Sequence, residues 1–254
     1  MVDLSIVIPC FNEAASLPRV VEMVAREIRT EFSTELVLVN NGSTDDSDQV
    51  CRGLLIKYPF ARMVRVEVNQ GYGHGILAGL ASSRGEVLGW THSDLQTDPA
   101  DVIRCYDMFR SELLAGSAIV KGRRVGREVV DRLFTSGMSW VASLALGGRY
   151  SDVNAQPKLF HRSLFQAMQR APKDFSLDLY LLWLSKERHY VLREYPVVYK
   201  RRPYGEAKGG GTLSLKWKLA RRTLRFILEL RRSIKSGGVS DDNRHTPGEH
   251  PSSA

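Results

Sequence analysis

The 254-residue chain is 43% hydrophobic and 25% charged, enough to bury a substantial core as one large domain or two small ones. No run approaches the roughly 20 apolar residues that span a bilayer, and Met1-Val2-Asp3-Leu4-Ser5 lacks the basic-then-apolar pattern of a secretory signal. The net charge of +8 is concentrated between Thr212 and Lys235, where eight Lys and Arg meet the single acid Glu229, so an anionic partner is expected for that segment and not for the whole surface.

Leu4-Ser5-Ile6-Val7-Ile8-Pro9 reads as a short buried strand stopped by proline, after which Leu17, Val20, Val21, Val24 and Ile28 repeat at helical spacing. Glu35 to Asn40 is a second buried strand with Asn41-Gly42-Ser43 as its turn, and a helix is expected from about Asp45, because Ser43, Thr44 and Asp45 are good caps. Met63 to Val68 is predicted as a third strand, Gly75 to Ser83 as a helix and Val87 to Thr91 as a fourth strand. Strand and helix alternating at this pace argue for a mostly parallel sheet with helices on both faces. Farther on, Ala118 to Val120 reads as a strand, Val129 to Leu146 as a helix, Lys158 to Phe160 as a short strand and Leu177 to Lys186 as a helix. Val191 to Tyr199 reads as a strand at a sheet edge, since Pro196 removes a donor. The three cysteines, Cys10, Cys51 and Cys105, have no CxxC spacing; neither a disulfide framework nor a zinc site is suggested, and a reducing cytoplasm is the simple expectation.

Ligands of such sheets sit beyond the carboxyl ends of the strands. Those ends carry Asn12-Glu13, Asn40-Asn41, Asn69-Gln70 and the stretch His92 to Gln96. The loop Gly71-Tyr72-Gly73-His74-Gly75 fails as a dinucleotide fingerprint, since its third glycine is misplaced and it follows the third strand. It either approaches a phosphate or ribose closely or is a tight turn.

Four ordered motifs carry a resemblance: Ile6-Val7-Ile8-Pro9-Cys10-Phe11-Asn12-Glu13, Val39-Asn40-Asn41-Gly42-Ser43-Thr44-Asp45, Asn69 to Gly75, and Ser93-Asp94-Leu95-Gln96-Thr97-Asp98-Pro99. Together they resemble family 2 glycosyltransferases of GT-A (Rossmann-like) α/β fold, in the polyprenyl-phosphate (dolichol-phosphate mannose synthase-like) branch. The resemblance implies a GT-A domain over 1–210, with a nucleotide-sugar half (1–125) and an acceptor half (126–210). It implies a donor site built from Pro9, Asn12, Glu13, Asn40, Asn41, Asn69, Gly71, Ser93 and Asp94. Asn40-Asn41 stands where the family usually has paired aspartates against the base; turn chemistry alone would also favour these residues.

Where the relatives have Asp-x-Asp followed by Leu-Gln, this chain has His92-Ser93-Asp94-Leu95-Gln96. The resemblance implies a divalent cofactor, Mg²⁺ or Mn²⁺, that neutralises the diphosphate leaving group, with Asp94 and Gln96 as oxygen ligands. His92 either joins them, which suits Mn²⁺ better than Mg²⁺, donates a hydrogen bond to the diphosphate, or is structural.

For the acceptor side, Lys121-Gly122-Arg123 resembles a strand-end Gly-x-Arg, Arg132 and Ser136 share a helix face, and Arg202-Pro203-Tyr204-Gly205-Glu206-Ala207-Lys208 resembles Arg-x-x-Gly-x-Ser-Lys. The resemblance thus implies Arg123, Arg132, Ser136, Arg202 and Lys208 as ligands of a lipid-linked phosphate; solvated surface charge is the alternative. Asp152 and Asp178 are the candidate catalytic carboxylates beside Asp94. A phosphate acceptor needs no general base, whereas a sugar hydroxyl does.

Residues 211–235 plot as an amphipathic helix, with Lys218, Arg221, Arg222, Arg225, Glu229 and Arg232 opposite Leu213, Trp217, Leu224, Ile227 and Ile234. A membrane-surface helix at the cytoplasmic face is expected, or one packed on its own domain, a membrane-protein partner or a second subunit. No nucleic-acid motif accompanies the charge. Residues 236–254 are expected to be disordered. The expected activity is an inverting sugar transfer from a nucleoside diphosphate sugar to a polyprenyl phosphate. The alternatives are transfer to a saccharide or small-molecule hydroxyl, and non-catalytic nucleotide-sugar binding.

Overall fold

Alternation along the first strands decides the architecture. In a strand, successive side chains point to opposite faces. Leu4, Ile6, Ile8, Leu36 and Leu38 join one core, while Val7, Val37 and Val39 join another. Both faces are therefore apolar, and the sheet needs a helical layer on each side.

The computed structural model describes residues 2–126, 142–204, 221 and 223–232. Its strands are β1 (Leu4–Cys10), β2 (Thr34–Asn41), β3 (Ala61–Val66), β4 (Val87–Trp90), β5 (Ala118–Val125), β6 (Lys158–His161) and β7 (Val191–Val198). They form a 7-stranded sheet in the order β3-β2-β1-β4-β6-β5-β7. Only β6 runs antiparallel to its neighbours, β4 and β5. Helices α1 (Leu17–Glu27), α2 (Ser47–Lys57) and α4 (Asp101–Leu114) cover one face, with Val20, Val24, Cys51, Leu54, Val102 and Tyr106 in its core. Helices α3 (Tyr72–Ser82) and α6 (Leu177–Glu187) cover the other, through Ile76, Leu80, Leu177, Leu181 and Leu184. A short helix, α5 (Arg162–Gln166), follows β6. Among the described residues no helix is long and apolar enough to cross a membrane.

The expected elements are found with shifted ends. The third strand starts earlier, at Ala61, and the third helix begins at Tyr72 instead of Gly75. The second helix begins at Ser47 because the carboxylate of Asp45 is used outside it, accepting from the N–H groups of Ala14 and Ser47. No element is expected over Asp101–Leu114, where α4 forms with Val102, Ile103, Tyr106 and Leu113 on its inner face. Of the helix expected over 129–146, residues 142–146 are described and are helical. β7 is an edge strand, with Pro196 opposite Arg123. The three cysteines are free and buried.

The amino ends of four neighbouring elements are tied at one carboxylate. Glu35, at the start of β2, accepts from Ser5 Oγ at 2.5 Å, Arg62 Nε at 2.9 Å and the Arg84 N–H at 2.5 Å. Burial pushes this carboxyl up, but the Arg62 and Ser5 hydrogen bonds and the Arg84 N–H outweigh it and hold it below the ordinary glutamate range. The stability it contributes is fully present above the unfolded pKa of about 4.3 and is lost as pH falls through the lower folded value. Glu35→Gln should cost about 1–3 kcal/mol in urea unfolding at pH 7 and should flatten the loss of stability between neutral and acidic pH. An unchanged pH profile in that variant would remove Glu35 from this role.

Candidate functional site

The strand order reverses between β1 and β4, and the crevice beyond their carboxyl ends is where such sheets hold ligands. The structure brings most of the expected donor residues there. Asn12, at φ 55°, is locked to the turn after β2: its N–H donates to Ser43 Oγ at 3.1 Å, and its Oδ1 accepts from the Thr44 N–H at 2.8 Å. Ser93 Oγ donates to the Pro9 carbonyl at 3.3 Å, joining the β1 and β4 ends.

The two adjacent asparagines differ. Asn40 is fully engaged, donating to Asp48 at 3.0 Å and accepting from the Ser43 N–H at 3.0 Å, so it builds the turn. Asn41 donates to the Gly71 carbonyl at 3.1 Å, while its buried Oδ1 has no hydrogen-bond partner. Asn69 accepts from the Gly71 N–H at 2.8 Å. The glycine loop itself is packed against its own chain. The His74 N–H donates to the Lys173 carbonyl at 2.9 Å, and a Cβ on Gly71, at φ +113°, would stand 2.8 Å from that same oxygen. Close approach is required here, and the segment approached is residues 172–174.

Beyond β4, His92, Asp94, Gln96, Thr97, Arg124, Asn154, Gln156 and Tyr199 line a small cavity of about 50 Å³. Asp94 Oδ1 accepts from the Gln96 N–H at 3.0 Å across Leu95, whose φ of 58° is rare for a leucine. Gln96 Nε2 donates to Tyr199 Oη at 2.7 Å, and the Lys200 N–H donates to the Gln96 carbonyl at 2.7 Å. The His92 ring stacks on Tyr72 at 5.5 Å, and Tyr72 stacks on Phe175 at 4.8 Å. A carboxylate, an amide and an imidazole around one cavity fit a divalent cation that takes its other ligands from a bound molecule. Among the described residues no group of three or more His, Cys, Asp or Glu could hold one unaided.

The arginine at this cavity is Arg124. Arg123 is exposed on the strand, with Nε 3.6 Å from Glu194, and does not line the cavity. The spacing Gly122-Arg123-Arg124 is itself Gly-x-Arg and marks Arg124 beside the expected Arg123. Arg124 holds Asp152, donating from its backbone N–H at 2.7 Å and from Nε at 2.8 Å.

Asp178 is only 1% exposed. It accepts from Lys158 Nζ at 2.9 Å and from Gln156 Nε2 at 2.8 Å. Lys158 also donates to the carbonyls of Val153 and Ala155 at 2.8 and 2.7 Å. Burial drives the Lys158 ammonium below its ordinary range against the pull of Asp178. Burial, followed by the Asp178 charge, holds the Tyr72 phenol well above its ordinary range. Gln156 lines the cavity and Lys158 anchors the loop before it; the one mark of this in the sequence is a lysine inside an apolar strand.

Arg202 ion-pairs with Glu13, so residues 199–202 bridge from Gln96 to the end of β1. Arg132, Ser136 and Lys208, with residues 205–220, 222 and 233–254 of the expected helix and tail, lie outside the described residues. Residues 223–232 are helical. Ile227 and Leu230 are buried in the domain's own core, whereas Leu224 and Leu228 are 42% and 47% exposed. Part of the apolar face expected to meet a membrane is thus covered by the protein itself.

Residues 5–175 match the family model described as Glycosyl transferase family 2. Similar curated proteins include the undecaprenyl-phosphate 4-deoxy-4-formamido-L-arabinose transferase of Pseudomonas fluorescens Pf-5, 31% identical over 214 residues, which cover 81% of this chain and 60% of that protein. The Pseudomonas aeruginosa LESB58 protein of the same description is 30% identical over 217 residues, with 82% and 60% covered. The chain therefore spans about 60% of the length of these relatives. Among solved structures, glucosyl-3-phosphoglycerate synthase from Mycobacterium tuberculosis, in complex with Mn²⁺, UDP and glucosyl-3-phosphoglycerate, is similar at a TM-score of 0.68. It is 21% identical, with 90% of this chain and 79% of that one covered.

Removing one partner of a buried ion pair costs about 3–5 kcal/mol, because the other charge stays buried, while replacing both with apolar groups is often neutral. Asp178→Ala should therefore lower unfolding free energy by about that amount, and Lys158→Met with Asp178→Leu should recover most of it in the same urea titration. A single variant as stable as the parent would show that the pair carries no such constraint.

Proposed function

The chain belongs to glycosyl transferase family 2 and has its GT-A fold, and from that premise we propose that it transfers a sugar, with inversion, from a nucleoside diphosphate sugar to a polyprenyl phosphate. One observation carries the choice of acceptor. Both carboxylates that could serve as general base are committed to cations, Asp152 to Arg124 and Asp178 to buried Lys158. A hydroxyl acceptor needs a base within reach, whereas a phosphate is already anionic at neutral pH. The similarity to relatives named for undecaprenyl phosphate supports the same acceptor class.

The donor would lie in the crevice from Pro9, Asn12 and Glu13 past Asn69, Gly71 and Ser93. Asn41 would use its unpartnered Oδ1 to accept from a base N–H, and Asn40 would act by holding the turn. Asp94 and Gln96, with His92, would hold Mg²⁺ or Mn²⁺, which when bound offsets the charge of the leaving diphosphate. The Tyr72 stack fixes the plane of the His92 ring. Arg124 at the cavity and Arg202 at the Glu13 end of the crevice would take the acceptor phosphate, each already paired with a carboxylate it would share with or exchange for that anion. Arg123, Arg132, Ser136 and Lys208 complete the proposed acceptor set by resemblance. Exposed Leu224 and Leu228, beside Arg221, Arg225, Arg231 and Arg232, would rest on an anionic cytoplasmic leaflet, each basic residue adding about 1 kcal/mol.

Asp94→Ala should reduce metal-dependent release of nucleoside diphosphate, with undecaprenyl phosphate supplied, by on the order of 10²–10³-fold, and chelation should stop the parent protein. Unchanged turnover in that variant would overturn the proposed site.

A further inference from the structure

Gln156 stands out among the cavity-lining residues because its orientation is imposed and one of its atoms is unused. It is 1% exposed and follows the loop that Lys158 clamps through the Val153 and Ala155 carbonyls. Its backbone lies directly against Gly122 of β5, so it cannot move closer to that strand. A Cβ there would stand 2.1 Å from the Gln156 carbonyl oxygen.

The side-chain amide is held just as firmly. Both Nε2 hydrogens are spent, one on Asp178 Oδ1 at 2.8 Å and one on Tyr72 Oη at 3.0 Å. An ionised carboxylate only accepts, and Asp178 is ion-paired with Lys158 at 2.9 Å. Turning the amide over would set oxygen against oxygen, so the NH₂ end must face Asp178. Oε1 is left buried with no hydrogen-bond donor, on a residue that lines the cavity with His92, Asp94 and Gln96. Leaving such a carbonyl unpaired is unfavourable, and a ligand carrying a donor would offset that loss.

The chemistry of that donor follows from the neighbours. Asp94 and Gln96 mark the diphosphate end of a bound nucleotide sugar, and the group joined to the diphosphate on its far side is the sugar. We propose that Gln156 reads the transferred sugar, its Oε1 accepting a hydrogen bond from a ring hydroxyl or amide N–H. Lys158 and Asp178 are then positioning residues that hold the reader in one orientation. This inference rests on the donor-site reading above. Sites built to hydrogen-bond a substrate group reject analogues lacking it more strongly than apolar pockets discriminate by size.

The test uses the full chain and Gln156→Met, which keeps the length of the side chain and removes the acceptor. A thermal-shift screen of UDP-, GDP- and dTDP-sugars with Mn²⁺ selects the donor that stabilises the parent most. Calorimetry then measures that donor and its parent nucleoside diphosphate on both proteins. The expected result is an affinity for the nucleotide sugar weakened about tenfold in the variant, with affinity for the nucleoside diphosphate unchanged within about twofold. The ratio of the two constants does not depend on the fraction of variant that is folded. Equal weakening of both ligands, or of neither, would overturn the inference and leave the donor site standing. Stabilisation by no donor at all would overturn the donor site and this inference with it.

Discussion

Two lysines facing each other across the sheet with no exposed surface organise the second half of this protein. Lys121 on β5 and Lys158 on β6 are register partners, and both are fully buried. Neither ammonium could stay there alone, because desolvation of a charge costs several kcal/mol unless it is paired. Each takes its carboxylate from a different later element. Glu194 of β7 stands 2.8 Å from Lys121, and Asp178 of α6 stands 2.9 Å from Lys158. The antiparallel strand, the edge strand and the covering helix are thereby fixed relative to one another at the end of the sheet where the crevice opens. Lys158 also clamps the loop that carries Asp152, Asn154 and Gln156.

The two ends of the sheet are built for different purposes. At the amino end, Glu35 collects Ser5, Arg62 and the Arg84 N–H into a closed network. At the carboxyl end, Asn12, Leu95 and Asp152 all have positive φ. Such backbone costs energy and persists where surrounding contacts over-determine it, commonly at functional sites. Here the contacts are named: Ser43 and Thr44 hold Asn12, the Asp94-to-Gln96 turn holds Leu95, and Arg124 holds Asp152.

The first half of the fold was legible because buried parallel strands leave unbroken apolar runs and their carboxyl ends carry the polar residues. Leu4 to Pro9 and Glu35 to Asn40 show both features. Helix α4 carries Val102, Ile103, Tyr106 and Leu113 at helical spacing, but Asp101, Arg104, Asp107 and Arg110 alternate with them along the chain, so no unbroken apolar run marks it. The motif Ser93-Asp94-Leu95-Gln96 placed the crevice, but strand alternation had to be seen before Arg124 could be told from Arg123. Asp178 showed the limit of residue type as a guide. A candidate catalytic carboxylate is buried against a lysine, a pairing between positions 20 apart in sequence that no local pattern encodes.

These pairings bear on mechanism as much as on stability, since a crevice whose candidate bases are neutralised by Arg124 and Lys158 suits an acceptor that arrives already charged. The most direct measurement offers the protein one donor, selected for binding, and compares undecaprenyl phosphate with undecaprenol in the same vesicles. Sugar transfer to the phosphate alone is the result this account predicts. Transfer to the free alcohol at a comparable rate would contradict it.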